Sequence, residues 1–197
     1  MSAWKGIVGR GFAPEAFDLY VRALRWASWR PHFCVLHHTG APTLKEWLDG
    51  PLPQQRMMNL QHYYRDELGW SGGPHLFVAP DLIWVFTPLT VPGVHSPSWN
   101  LVSWGIEMVG NYDIEDFFSG PGLQVHRNAI AALATLHEAL GLSPASLRFH
   151  REDPLTTHKD CPGRTIKKPP VIAELTAALA GEHDPAPRGA TEAPDAA

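Results

Sequence analysis

Two cysteines in 197 residues are too few for a disulfide framework. Cys34 sits in an apolar run and Cys161 in a polar, turn-rich one, so the two are read as unpaired. Positive charge is also scarce. Lys and Arg number 16 against 20 Asp and Glu, net -4, and they form no cluster. That balance argues against nucleic acid or an anionic membrane surface as partner. No apolar run approaches the roughly 18 residues of a membrane-spanning helix. Met1-Ser2-Ala3-Trp4-Lys5-Gly6 lacks the apolar stretch of a signal peptide, so synthesis in a cytoplasm is expected.

What is present fits one globular domain with a full core. Hydrophobic residues make up 44% and charged residues 18%. Eleven histidines and eight tryptophans are many, and such residues often line sites for polar ligands. Phe17, Tyr20, Val21 and Leu24 recur at i, i+3, i+4 and i+7 and predict a helix from Pro14 to about Ala27. Phe33 to His37 reads as a buried strand. Thr43-Leu44-Lys45-Glu46 is a capping box opening a short helix. Gln54 to Leu68 predicts a long helix with Met57, Leu60, Tyr64 and Leu68 on one stripe. His75–Val78 and Leu82–Phe86 read as a hairpin, followed by a long loop from Thr87 to Asn100. Loops of that length are more often functional than idle. Leu101–Val109 predicts a strand, Arg127–Leu140 a helix stopped by Gly141, Leu147–Phe149 a strand, and Pro170–Ala180 a last helix.

The expected architecture is α/β, a mixed central β-sheet flanked by helices in a single domain. That domain spans 1–181, with residues 1–30 a helical elaboration, and 182–197 is a disordered tail rich in Pro, Ala, Gly and charge. The tail carries four acidic residues against Arg188, a net of -3, which leaves about -1 for the rest.

The chemistry concentrates in Phe149-His150-Arg151-Glu152-Asp153-Pro154-Leu155-Thr156-Thr157-His158-Lys159-Asp160-Cys161 and in Val35-Leu36-His37-His38 far upstream. Imidazole nitrogen and thiolate sulfur are zinc donors, and a catalytic zinc keeps three protein ligands with one position open. His37 and His150 at strand ends with Cys161 in the next loop form such a set, although each histidine alone reads equally well as structural. Glu107 lies in the apolar stretch Trp104-Gly105-Ile106-Glu107-Met108-Val109, where a carboxylate is costly to bury. It is either an edge residue facing solvent or a general base. Lys159 is either a solvated loop lysine or a cation facing a developing oxyanion.

Val35-Leu36-His37-His38-Thr39, Gly73-Pro74-His75-Leu76-Phe77-Val78, Trp104-Gly105-Ile106-Glu107, and His150 leading to Cys161-Pro162-Gly163 stand in the order of one known family. Over residues 30 to 166 the chain resembles the zinc-dependent N-acetylmuramoyl-L-alanine amidases. That family includes T7-type lysozymes, bacterial recycling amidases and animal peptidoglycan recognition proteins. The resemblance implies a peptidoglycan hydrolase that cleaves the amide between the lactyl group of N-acetylmuramic acid and L-alanine, using water activated by Zn2+. It implies His37, His150 and Cys161 as metal ligands, Glu107 as the base and Lys159 as the oxyanion partner. It also implies peptidoglycan or a muropeptide as partner, and a monomer is the expected state.

Three departures stand out. Pro74 occupies the place of the family's usual tyrosine, which leaves more of the catalysis to Glu107. The interval from His150 to Cys161 is longer than usual, so His158 is an alternative ligand, with His150 preferred because it ends a strand. The first helix and the Thr87–Asn100 loop are elaborations expected to shape the substrate cleft. His38 and His75 are candidates for metal-supporting, substrate-contacting or structural roles, and His95, Trp99 and Trp104 for groove lining.

Rival readings are a peptidoglycan-recognition module without hydrolysis, a cysteine hydrolase with Cys161 as nucleophile, and a His₂Cys copper site. The complete ligand set argues against the first, and no methionine after residue 108 is available as an axial ligand for the last. Endolysin, recycling enzyme and injected toxin all fit the amidase reading, with action on the cell wall following phage lysis or export.

Overall fold

The computed structural model describes residues 3–26 and 28–181. The 182–197 tail lies outside them, as does Ala27; the helix expected to reach Ala27 ends at Arg22. Six strands form one sheet: β1 (Arg10–Phe12), β2 (Phe33–His38), β3 (Leu76–Val78), β4 (Ile83–Val85), β5 (Ser103–Met108) and β6 (Arg148–Phe149). Their order is β1-β4-β3-β5-β2-β6. β3, β5, β2 and β6 are mutually parallel, β4 runs against β3, and β1 runs against β4. The mixed sheet, flanked by helices in one domain, is the architecture expected from the element pattern.

Strand residues alternate between two faces. Leu36, Val78, Val85, Ile106 and Met108 point to the face covered by α1 (Pro14–Arg22), α4 (Gly120–Leu140) and α5 (Lys168–Leu179), where Phe17, Leu133, Leu136 and Leu175 complete the main core. Burying each such side chain contributes about 1.5–3 kcal/mol. The opposite face carries a smaller cluster of Phe77, Trp84 and Phe86, packed with Trp47 of α2 (Leu44–Asp49) and Met57 of α3 (Pro53–His62). The Thr43–Glu46 capping box forms at the start of α2. Among the described residues, no helix is long and apolar enough to cross a membrane.

The structure departs from the sequence pattern in four places. β1 is unexpected, because Arg10-Gly11-Phe12 has no strand signature and is strand only through pairing with β4. α1 packs on α4 beneath the main core, so it does not shape the cleft. α4 begins seven residues before the expected start, at Gly120-Pro121-Gly122. Proline suits a first helical turn, and Gly122 is needed because a Cβ there would lie 1.9 Å from the Asp116 carbonyl oxygen. The long helix after Pro53 is regular only to His62. It then widens into a π-turn over Tyr63–Glu67, with the Leu68 N–H donating to the Tyr63 carbonyl at 3.0 Å. Such turns are frequent at functional sites.

Candidate metal centre at the strand ends

Parallel strands of α/β sheets place sites at their carboxyl ends. His37 is the second-to-last residue of β2 and Glu107 of β5, and the two are register partners across the ladder. Both project from the face opposite the main core, because Leu36 and Ile106 before them take the core side. His150 follows β6 directly and opens a single 3₁₀ turn. Arg151 then braces the segment that carries Cys161. Its N–H donates to the Cys161 carbonyl at 3.0 Å, and its guanidinium donates to the carbonyls of Asp160, Gly163 and Ile166.

One donor atom each from His37, His150 and Cys161 lies within 4.8 Å of the others, and all three residues are buried. His158 stands outside this group, exposed, its ring stacked on that of His150 at 5.4 Å. Glu107 Oε1 is 3.8 Å from His37 Nδ1, and the Glu107 side chain is 15% exposed. Lys159 is exposed on the loop before Cys161 and lines the same cleft.

Burial dominates the electrostatics. It holds His37 well below the usual histidine range, reinforced by His95, His150 and His158 around it. It lowers His150 to about 4, with His158 adding to the effect. It raises the Cys161 thiol and lifts Glu107 to about 8. Both imidazoles are therefore neutral, each with a lone pair to offer, and Glu107 titrates near neutral pH, the range suited to a base.

The remaining aromatic and histidine expectations sort by face. His75 is a structural clamp: Nδ1 accepts from the Gly105 N–H at 3.0 Å and Nε2 pairs with the Val91 carbonyl at 3.0 Å. His38 Nδ1 accepts from the Tyr112 N–H at 3.1 Å, and its imidazole lines the cleft. Trp104 lines no groove. It shares the parity of Ile106 and is fully buried in the main core. Trp99 is half-buried edge-on against Phe33, away from the cleft walls. His95 does line the cleft, as expected, but from deep within it, in contact with His37 and only 8% exposed. Gly105 is the signal for it. A strand glycine marks a close approach, and a Cβ there would meet the His95 ring at 2.3 Å.

A profile of the N-acetylmuramoyl-L-alanine amidase family matches residues 28–164. The chain belongs to this amidase family. Its fold is similar to that of the Clostridium intestinale endolysin amidase LysCS, at 24% identity and a TM-score of 0.57, over 78% of this chain and 91% of that one. It is similar to Drosophila PGRP-LB at 22% identity and a TM-score of 0.58, over 89% and 87% of the two chains. It is also similar to peptidoglycan recognition protein-LE, solved with tracheal cytotoxin, at 19% identity and a TM-score of 0.55, over 73% and 85%. No sequence among curated proteins matches.

In this family member the donor set fits a divalent metal. Two neutral imidazoles and a buried thiol, which ionises readily only beside a cation, are the donors of three-ligand zinc sites with an open fourth position. The group lies in a cleft of about 1130 Å³. Tyr63, Tyr64 and Trp70 from the π-turn and its sequel form one wall, and Val94 with His95 comes from the long loop. That loop does shape the cleft, as expected.

Proposed function

We propose that the chain is a zinc-dependent hydrolase of peptidoglycan that cleaves the amide between the lactyl group of N-acetylmuramic acid and L-alanine. The observation that carries this reading is the convergence of His37, His150 and Cys161 within 4.8 Å of one another, beside a buried glutamate in an open cleft. Zinc held by these three residues supplies a Lewis acid that acidifies water and polarises a carbonyl. Glu107 takes the proton from the water that attacks the lactyl carbonyl, and it returns a proton to the alanine nitrogen as the C–N bond breaks. Its register position on β5 holds it rigidly next to His37, which favours a fixed reacting geometry. Lys159 faces the oxyanion from the rim, where its exposed ammonium reaches substrate without a burial cost. Tyr63, Tyr64 and Trp70 offer apolar surface for sugar or stem peptide. Pro74 supplies no hydroxyl, so proton transfer rests on Glu107.

Digestion of purified peptidoglycan tests this directly. New N-terminal alanine amines are scored against new reducing sugar ends, with and without a chelator. Chelator-sensitive release of alanine amines alone is the expected result. Retained muropeptide binding with zinc bound and no amine released would replace the hydrolase with a recognition module.

A further inference from the structure

The contact of His95 with His37 bears on the metal site. A neutral imidazole can ligate through only one nitrogen, and whichever nitrogen carries the proton is lost to the metal. His37 Nε2 lies 3.1 Å from His95 Nδ1 in a buried contact, the rings nearly perpendicular. The proton in that contact can be located from the far side of His95. Its Nε2 faces the Ser103 carbonyl at 3.4 Å, and a carbonyl only accepts. It also faces Ser103 Oγ at 3.4 Å, whose own hydrogen is donated to the Trp99 carbonyl at 2.7 Å. Both neighbours of His95 Nε2 are therefore acceptors, so Nε2 carries the proton and Nδ1 is bare. His37 Nε2–H must then donate to His95 Nδ1, which leaves the His37 Nδ1 lone pair facing the cluster.

His150 Nε2 pairs with Thr156 Oγ1 at 2.9 Å, also in the interior, but a hydroxyl can donate or accept and does not fix the tautomer there. We infer that His95 is a positioning residue. It holds the His37 imidazole in the tautomer that presents Nδ1 to the metal. This rests on the metal reading proposed above and deepens it.

Other contacts keep His95 in place. Asn100 Oδ1 accepts from the N–H groups of His95 and Ser96 at 2.7 and 2.9 Å. Gly105 leaves the space in which the His95 ring lies. Ser96 Oγ and the Ser98 N–H and Oγ donate to Asp153, whose own N–H donates to the His150 carbonyl. One buried carboxylate thus ties the loop that supports His37 to the turn that carries His150. The His37 imidazole is thus oriented before any metal arrives.

The test is zinc affinity of the full chain, by competition with a chromophoric chelator, for the unaltered protein, His95→Leu and His95→Asn. Circular dichroism of the metal-free proteins checks folding. Loss of an outer hydrogen bond to a ligand histidine costs about 10–100-fold in metal affinity, and that loss is expected for His95→Leu. Asn keeps an acceptor near the position of Nδ1 and is expected to recover most of it. A ¹⁵N-histidine spectrum of the unaltered protein gives a second, mutation-free reading. His37 should show Nε2 protonated before and after zinc addition, with the zinc-induced shift on Nδ1. Folded His95→Leu with unchanged zinc affinity, or zinc on His37 Nε2, would overturn the inference. An unaltered chain that takes no zinc would overturn the metal reading itself, a result distinct from either.

Discussion

The two faces of the sheet follow opposite rules over the same residues. On β5, Trp104, Ile106 and Met108 enter the main core, while Ser103, Gly105 and Glu107 between them face the site. On β2, Cys34 and Leu36 do the first and His37 the second. The helix-covered face is mainly apolar, with His126 and His137 of α4 the buried polar exceptions, and is closed by α1, α4 and α5. The site face holds two titratable groups side by side, a glycine that admits a third, and a much smaller aromatic cluster. Stability comes from one face and chemistry from the other. The apolar face offsets the cost of groups that burial alone would expel.

The sharpest way to break that division is at Glu107. Glu107→Gln is expected to lower alanine-amine release by on the order of 10²–10⁴-fold, with zinc still bound and thermal stability unchanged or raised. A variant that keeps most of its activity would remove Glu107 from the chemistry. On the other face, Leu133→Ala is expected to cost about 2–5 kcal/mol in urea denaturation. Zinc affinity of the protein that remains folded should not change, and a parallel loss of metal would show that the faces are coupled.

A smaller effect is expected from pH, with the metal removed. Burial lowers His75 to about 4 from an ordinary 6.5. The unfolded chain therefore binds a proton near pH 6.5 that the folded chain refuses until about 4. Stability from this group is complete above 6.5 and falls as pH drops, by about 2 kcal/mol between pH 7 and pH 5. Glu107, lifted from 4.5 to about 8, acts in the opposite sense. Its contribution is complete below 4.5 and is lost as pH rises toward 8. The ranges overlap between about 4.5 and 6.5, where the two slopes cancel, so these two groups together give a broad maximum there in urea denaturation across pH. Leu133→Ala should lower that curve without changing its shape, because it removes no titrating group. The smallest effect belongs to Thr43→Ala, which removes the α2 cap and should cost about 1 kcal/mol. Both thermal stability and amine release check it, and only the first should move.

Much of this division was legible from single residues. The run ending in His37, the carboxylate in an apolar strand at Glu107, and the segment from His150 to Cys161 each carry a local cost or a donor type that marks them as candidates. Parity alone would also have moved Trp104 off the groove, since it shares the side of Ile106. β1 was hidden because an edge strand of three residues is strand only through its partner. The α4 start was hidden because Gly120-Pro121-Gly122 resembles a turn until the packing of Gly122 against Asp116 is known. The π-turn after His62 left no mark, because the helical stripe through Tyr64 and Leu68 is nearly the same with or without one extra residue in a turn.

The amino-acid sequence by itself determined the family, the mixed sheet and the identity of the candidate donors. Those properties reside in residue type and order. Only the tertiary structure decided which way the donors turn. Whether His95 touches solvent or His37 depends on a loop folding over Gly105, and that contact decides which nitrogen His37 offers. Hydrogen-bond direction between side chains far apart in the chain has no periodicity to leave in a sequence. It exists only once the strands are in register and the loops have closed over their ends.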